Sequence, residues 1–71
     1  MVPDWRIAQI RAGASVLCQA LSDQSLSDLG QGTHVGLKTA TGDNREELQA
    51  MMDSINAEVS RRGTLTATVR A

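Results

Sequence analysis

Apolar side chains recur every three or four positions in two stretches of the chain. In residues 43–62 the set is Leu48, Met52, Ile55 and Val59, with Met51 beside it. At 3.6 residues per turn these fall on one face of a helix. Asp43 and Glu46 have the spacing of a capping box, so the helix is expected to start there. Glu46 and Glu47 sit at the positive end of its dipole and Arg61 and Arg62 at the negative end. Gly63 supplies the residue that can turn left-handed beyond the last turn. Near the N-terminus, Pro3-Asp4 offers a helix start, followed by a stripe of Ile7, Ile10, Ala14, Leu17 and Leu21. The two stripes are expected to face each other. Gly13 is unfavourable inside a helix and suggests either close approach of a neighbouring backbone or a weak spot.

The middle of the chain follows a different period. Val35, Leu37 and Thr39 alternate with His34, Gly36 and Lys38, which predicts a strand over about 33–40. Ser25 to Leu29 reads either as a first hairpin strand turning through Gly30-Gln31-Gly32, or as one helical turn capped by Ser25 and ended by Gly30. The hairpin is favoured, because a lone strand would need a partner from elsewhere. After Gly63, "TLTATVRA" alternates again, with Leu65, Ala67 and Val69 facing one way. This tail could pair with the Val35 strand of its own subunit, add to a neighbour's sheet edge, or stay disordered in isolation. The expected class is therefore α+β: two amphipathic helices packed on a small antiparallel β-hairpin. Residues 1–63 form a single small domain, and 64–71 a strand-forming tail.

Composition limits how such a domain can be held together. At 71 residues with a single tryptophan as its only aromatic, its interior must be aliphatic and thin. One cysteine cannot form an intrachain disulfide, and one histidine with one cysteine falls short of a structural zinc site. No cofactor is expected, and oligomerisation is the remaining common staple. Charge is unevenly placed: residues 23–60 carry seven acids against Lys38 and Arg45, whereas 61–71 carry three arginines and no acid. An acidic body with a basic end suits association between copies better than specific nucleic-acid binding. No apolar run is long enough for a membrane span and no signal-peptide pattern is present, so a soluble protein of a reducing cytoplasm is expected.

Few residues invite chemistry. Gly30-Gln31-Gly32-Thr33 lacks the Gly-Lys-Ser/Thr ending of a P-loop and reads as a turn. His34 has neither a nucleophile motif nor a second histidine with it. Cys18 lies beside the apolar stripe, where a thiol behaves as a small hydrophobe. Met51 and Met52 read as core filler. Arg61, Arg62 and Arg70 are the exception: helix-end complementarity explains the first two, and contact with an acidic partner or with phosphates is the other reading.

The strand-to-helix passage "VGLKTATGDNREEL", the amphipathic helix through Val59 and the "RRG" after it resemble the small head-to-tail joining proteins of tailed phages, the W-type joining proteins. These passages cover about half the chain. The resemblance implies a non-enzymatic α+β subunit, found in the virion or the host cytoplasm, that assembles as a ring between portal and tail. The expected interface is Arg61, Arg62, Leu65, Ala67, Val69 and Arg70, with other copies of the chain and portal or tail proteins as partners. The alternative is a small dimeric regulatory module that binds another protein and dimerises through its two helical stripes.

Overall fold

The computed structural model describes residues 1–63 and is built from three helices, α1 (Asp4–Ala20), α2 (Asp23–Thr39) and α3 (Gly42–Arg62). Among these residues there is no strand. The expected α+β class is thereby overturned: the segment read as a β-hairpin is one continuous helix running through Gly30, Gly32 and Gly36. The expected C-terminal strand lies outside the described residues.

The physical reason lies in what α2 does with its polar and glycine positions. Ser22, not Ser25, is its N-cap, and the Ser22 hydroxyl oxygen accepts from the Ser25 N–H at 3.2 Å. Leu26, Thr33 and Leu37 then recur at helical spacing, with Leu26 and Thr33 buried. Thr33 can occupy an inward position because its hydroxyl donates back to the Leu29 carbonyl at 2.8 Å, which satisfies it without water. Two of the glycines are contact points. A Cβ at Gly30 would lie 3.4 Å from Ile55 Cγ2, and one at Gly36 3.5 Å from Leu48 Cδ1, so both let α2 lie close against α3. The alternation of Val35 with His34 has no sheet to serve, and both residues are exposed.

Contacts along α3 give the directions of the other helices. Val2, Arg6 and Arg11 bond to Glu46, Glu47 and Asp53 in turn, so α1 runs parallel to α3. Gly36 meets Leu48 and Gly30 meets Ile55, so α2 runs antiparallel to it. α3 is the common support: α1 and α2 make much less backbone contact with each other than either makes with α3.

The predicted helices stand, with two corrections of detail. The stripes of α1 and α3 do not simply face each other. Leu48 packs toward α2 and Ile55 sits between Leu26 of α2 and Cys18 of α1, while Ser54 Oγ donates to the Arg11 carbonyl at 3.3 Å. The capping box is also absent. Asp43 pairs with the Met1 amino group at 2.9 Å, and Glu46 accepts from the Val2 N–H at 3.0 Å. The entry to α3 turns instead on Gly42 at φ +59°, and its exit on Gly63 at φ +73°, a region where glycine alone is at ease.

Candidate functional site

Two features stand out once the helices are placed: a polar hub at one end and an uncovered apolar surface along α1. The hub forms where α1 turns into α2. Glu58, only 5 % exposed, accepts from Arg61 Nε at 2.9 Å and from Arg62 Nε at 2.7 Å. Arg62 also donates from Nη1 to Asp23 Oδ1 at 2.8 Å. Its Nη2 reaches the carbonyls of Cys18 at 2.8 Å and Leu21 at 2.7 Å. The planar fork of a guanidinium suits this, because its donors point to several acceptors at once. The last carbonyls of α1 run short of partners within their own helix, Cys18 accepting only from the Leu21 N–H at 3.3 Å, and α1 has no basic residue in its final turn. Arg62 supplies the missing charge from α3. Hydrogen bonds from Arg61 and then Arg62 hold the Glu58 carboxyl down from its ordinary value of 4.5 to about 2.

Beneath the hub lies the core, in which Leu26, Ile55 and Cys18 are the largest fully buried side chains, flanked by Leu21, Leu29 and Val59. Burial, and then the nearby Glu58 carboxylate, push the Cys18 thiol up, which keeps it protonated and unreactive. Alongside this core the interior opens. Ile10, Ala14 and Leu17 of α1, Leu29 of α2, and Met51 and Ile55 of α3 line a cavity of about 180 Å³ that is open to solvent. A second groove of about 510 Å³ runs between α2 and α3, with Leu26, Met52, Ile55 and Val59 below Gln31, His34 and Asn56. Large apolar groups stay at the surface: Trp5 is 65 % exposed, Val16 71 % and Val35 61 %.

Of the residues expected at an interface, Arg62 is largely enclosed, with 14 % of its side chain exposed. Arg61 remains 64 % exposed while holding Glu58. Leu65, Ala67, Val69 and Arg70 lie outside the described residues. His34 lines the groove between α2 and α3. Among the described residues no three of His, Cys, Asp and Glu are placed to hold a metal ion, and no helix is long and apolar enough to cross a membrane.

Sequence reasoning missed the hub, although the spacing carried a signal. Glu58 stands three and four residues before Arg61 and Arg62, the separations at which side chains on a helix meet. The open face of α1 had a weaker signal, the absence of any charge between Arg11 and Asp23. No family model matches the chain, and no curated protein or solved structure matches it either.

Proposed function

We propose that this chain is a non-enzymatic structural subunit that works by joining other proteins, an adaptor whose uncovered apolar surface is completed by its neighbours. The observation that supports this reading is the mismatch between core and surface. Three large side chains are fully buried, while Trp5, Val16, Leu17 and Val35 remain in water. A chain this small gains stability when partners cover such groups.

A ring between a phage head and its tail is the particular assembly that the sequence resemblance names. Its support is now the passage through α3 and the "RRG" that follows, since the passage read as a hairpin is helical. Of Arg61 and Arg62, Arg61 is the one that an acidic neighbour can reach. The test begins with the genes on either side of its own. If they encode portal, capsid or tail proteins, the purified chain is expected to co-sediment with one of them and to shift the resonance of a fluorine-labelled Trp5. Neighbours of another class, with no such association, overturn the reading.

A further inference from the structure

The groove between α2 and α3 differs from the open face of α1 in having the end of a helix at its mouth. Its floor is apolar, made by Leu26, Met52, Ile55 and Val59. Its walls carry uncharged polar groups, Gln31 from α2 and Asn56 from α3, both exposed. Along α3, Met52, Asn56, Val59 and then Gly63 recur at intervals of four, three and four residues, which keeps them on one side of the helix. The Gly63 N–H still donates to the Val59 carbonyl at 3.0 Å, and φ of +73° at this glycine takes the chain out of the helical path. The chain therefore leaves α3 on the side that borders the groove.

Residues 64–71 lie outside the described residues, but their sequence matches the groove in pattern and in length. Leu65, Ala67 and Val69 alternate with Thr64, Thr66 and Thr68. In an extended segment such alternation sets the apolar groups on one side and the threonines on the other. Leu65 to Val69 then spans about 13 Å at about 3.3 Å per residue. Val59 to Met52, the floor contributed by α3, spans about 10 Å at 1.5 Å per residue. The two agree to within the length of one extended residue.

We propose that the groove between α2 and α3 is the docking site of the chain's own C-terminal segment, which turns back at Gly63 and lays Leu65 over Val59, Ala67 over Ile55 and Val69 over Met52. The inference goes beyond the adaptor reading and does not rest on it. The occupant is this chain because the segment is tethered at the mouth of the groove. Leu65 stands two residues past Gly63, enough to come back level with Val59, about 6 Å along the axis of α3. Binding within one chain also avoids bringing two molecules together. Gln31 and Asn56 each carry an amide that both donates and accepts, as the main chain of an extended segment requires along its two edges.

The test uses the full chain with paired cysteines. Met52→Cys combined with Val69→Cys should oxidise to a disulfide within one chain, since docking holds the two Cα atoms within the roughly 4.4–6.8 Å that the bond needs. Val16→Cys combined with Val69→Cys sets the same tail against the exposed side of α1. That pair should close at least about tenfold more slowly, because nothing holds it at bonding distance. Cys18 is fully buried and does not compete. A second measurement leaves the helices unaltered: with isotope-labelled methionine methyls, Leu65→Asp and Val69→Asp should shift the Met52 resonance, whereas Thr66→Asp and Thr68→Asp, on the outward side, should leave it in place. Equal closure of the two cysteine pairs overturns the proposal. So do disulfides formed between chains instead of within one, and a Met52 methyl that responds alike to inward and outward substitutions. Co-sedimentation with portal or tail proteins decides the adaptor reading separately from all of these outcomes.

Discussion

The two ends of this helical layer are held together by different physics. Where α1 turns into α2, Leu26, Ile55 and Cys18 are sealed from water, and Arg62 ties α3 to the carbonyl end of α1 through enclosed hydrogen bonds. Toward the other end, α1 is fastened by Arg6–Glu47 and Arg11–Asp53, pairs in which both arginines are more than half exposed. Beside them the cavity lined by Ile10 and Met51 stands open. Exposed ion pairs contribute little because water and salt screen them. Enclosed pairs are costly to break, because each partner is stranded without its water. With so few large side chains, the chain closes one end and leaves the other open.

The sharpest way to break this comparison is to truncate one leucine at each place. Leu26→Ala removes a fully buried side chain and is expected to cost about 3 kcal/mol, as transfer and cavity effects add. Leu17→Ala removes a half-exposed one and is expected to cost about 1 kcal/mol or less in dilute solution. Urea unfolding at low protein concentration measures both. Similar losses would mean that the two regions are equally packed.

The hub gives the next effect. Arg62→Ala strips Glu58 of one partner, leaves the Leu21 carbonyl unpaired and the Cys18 carbonyl with only the Leu21 N–H, so its melting midpoint should fall well below that of Arg61→Ala, after which Arg62 still holds Glu58. Arg62→Lys should recover little, since an ammonium cannot fork to the same acceptors. Acid acts on the same contact. The folded Glu58 carboxyl titrates near 2, below its ordinary 4.5, so the unfolded chain binds the extra proton as pH falls. The contribution is fully present above about 4.5 and is lost toward pH 2. Thermal melts across that window should fall steeply for the native chain and less for Glu58→Gln; parallel curves would remove Glu58 from the account.

How much of this was legible depends on which residues carried each element. α1 and α3 announced themselves through period and ends, and Gly63 does close α3 as its position suggested. α2 did not, because its inward face is written partly in Thr33, Gly30 and Gly36. A threonine that bonds back to its own helix and glycines that admit Ile55 and Leu48 look, in a bare sequence, like turn and strand. Tertiary contact overrode local propensity there. Of the candidate site, Arg61 and Arg62 could be singled out from the sequence and their spacing pointed to Glu58, but Asp23 and the carbonyls of Cys18 and Leu21, which Arg62 also reaches, come only with the fold. The open face of α1 carries no period of its own, only the absence of charge between Arg11 and Asp23.

The glycines provide a smaller and more local test. Gly32→Ala adds a methyl group where nothing lies within 4 Å, so helix propensity alone acts and stability should rise by up to about 1 kcal/mol. Gly30→Ala brings the same propensity gain but sets its Cβ 3.4 Å from Ile55 Cγ2, at the lower edge of ordinary contact, so the methyl group has no slack against α3. It should gain clearly less than Gly32→Ala, or lose stability. Equal gains from the two substitutions, measured by thermal unfolding, would show that α2 is not pressed against α3 at Ile55.

The slightest effect belongs to the exposed clasp. Arg11 Nη2 lies 3.0 Å from Asp53 Oδ2, with 55 % and 44 % of the two side chains exposed. Gln49 also donates to Asp53, and Ser54 holds the Arg11 carbonyl whatever becomes of the guanidinium. Arg11→Ala should therefore cost roughly 0.2–1 kcal/mol. That cost should shrink as salt is raised from about 0.15 M to about 1 M, because the screening length contracts from about 8 Å to about 3 Å. Arg62→Ala, whose contacts are enclosed, should lose as much at high salt as at low. If the two substitutions respond alike, one electrostatic environment runs the length of α3, and the distinction between a sealed end and an open one fails.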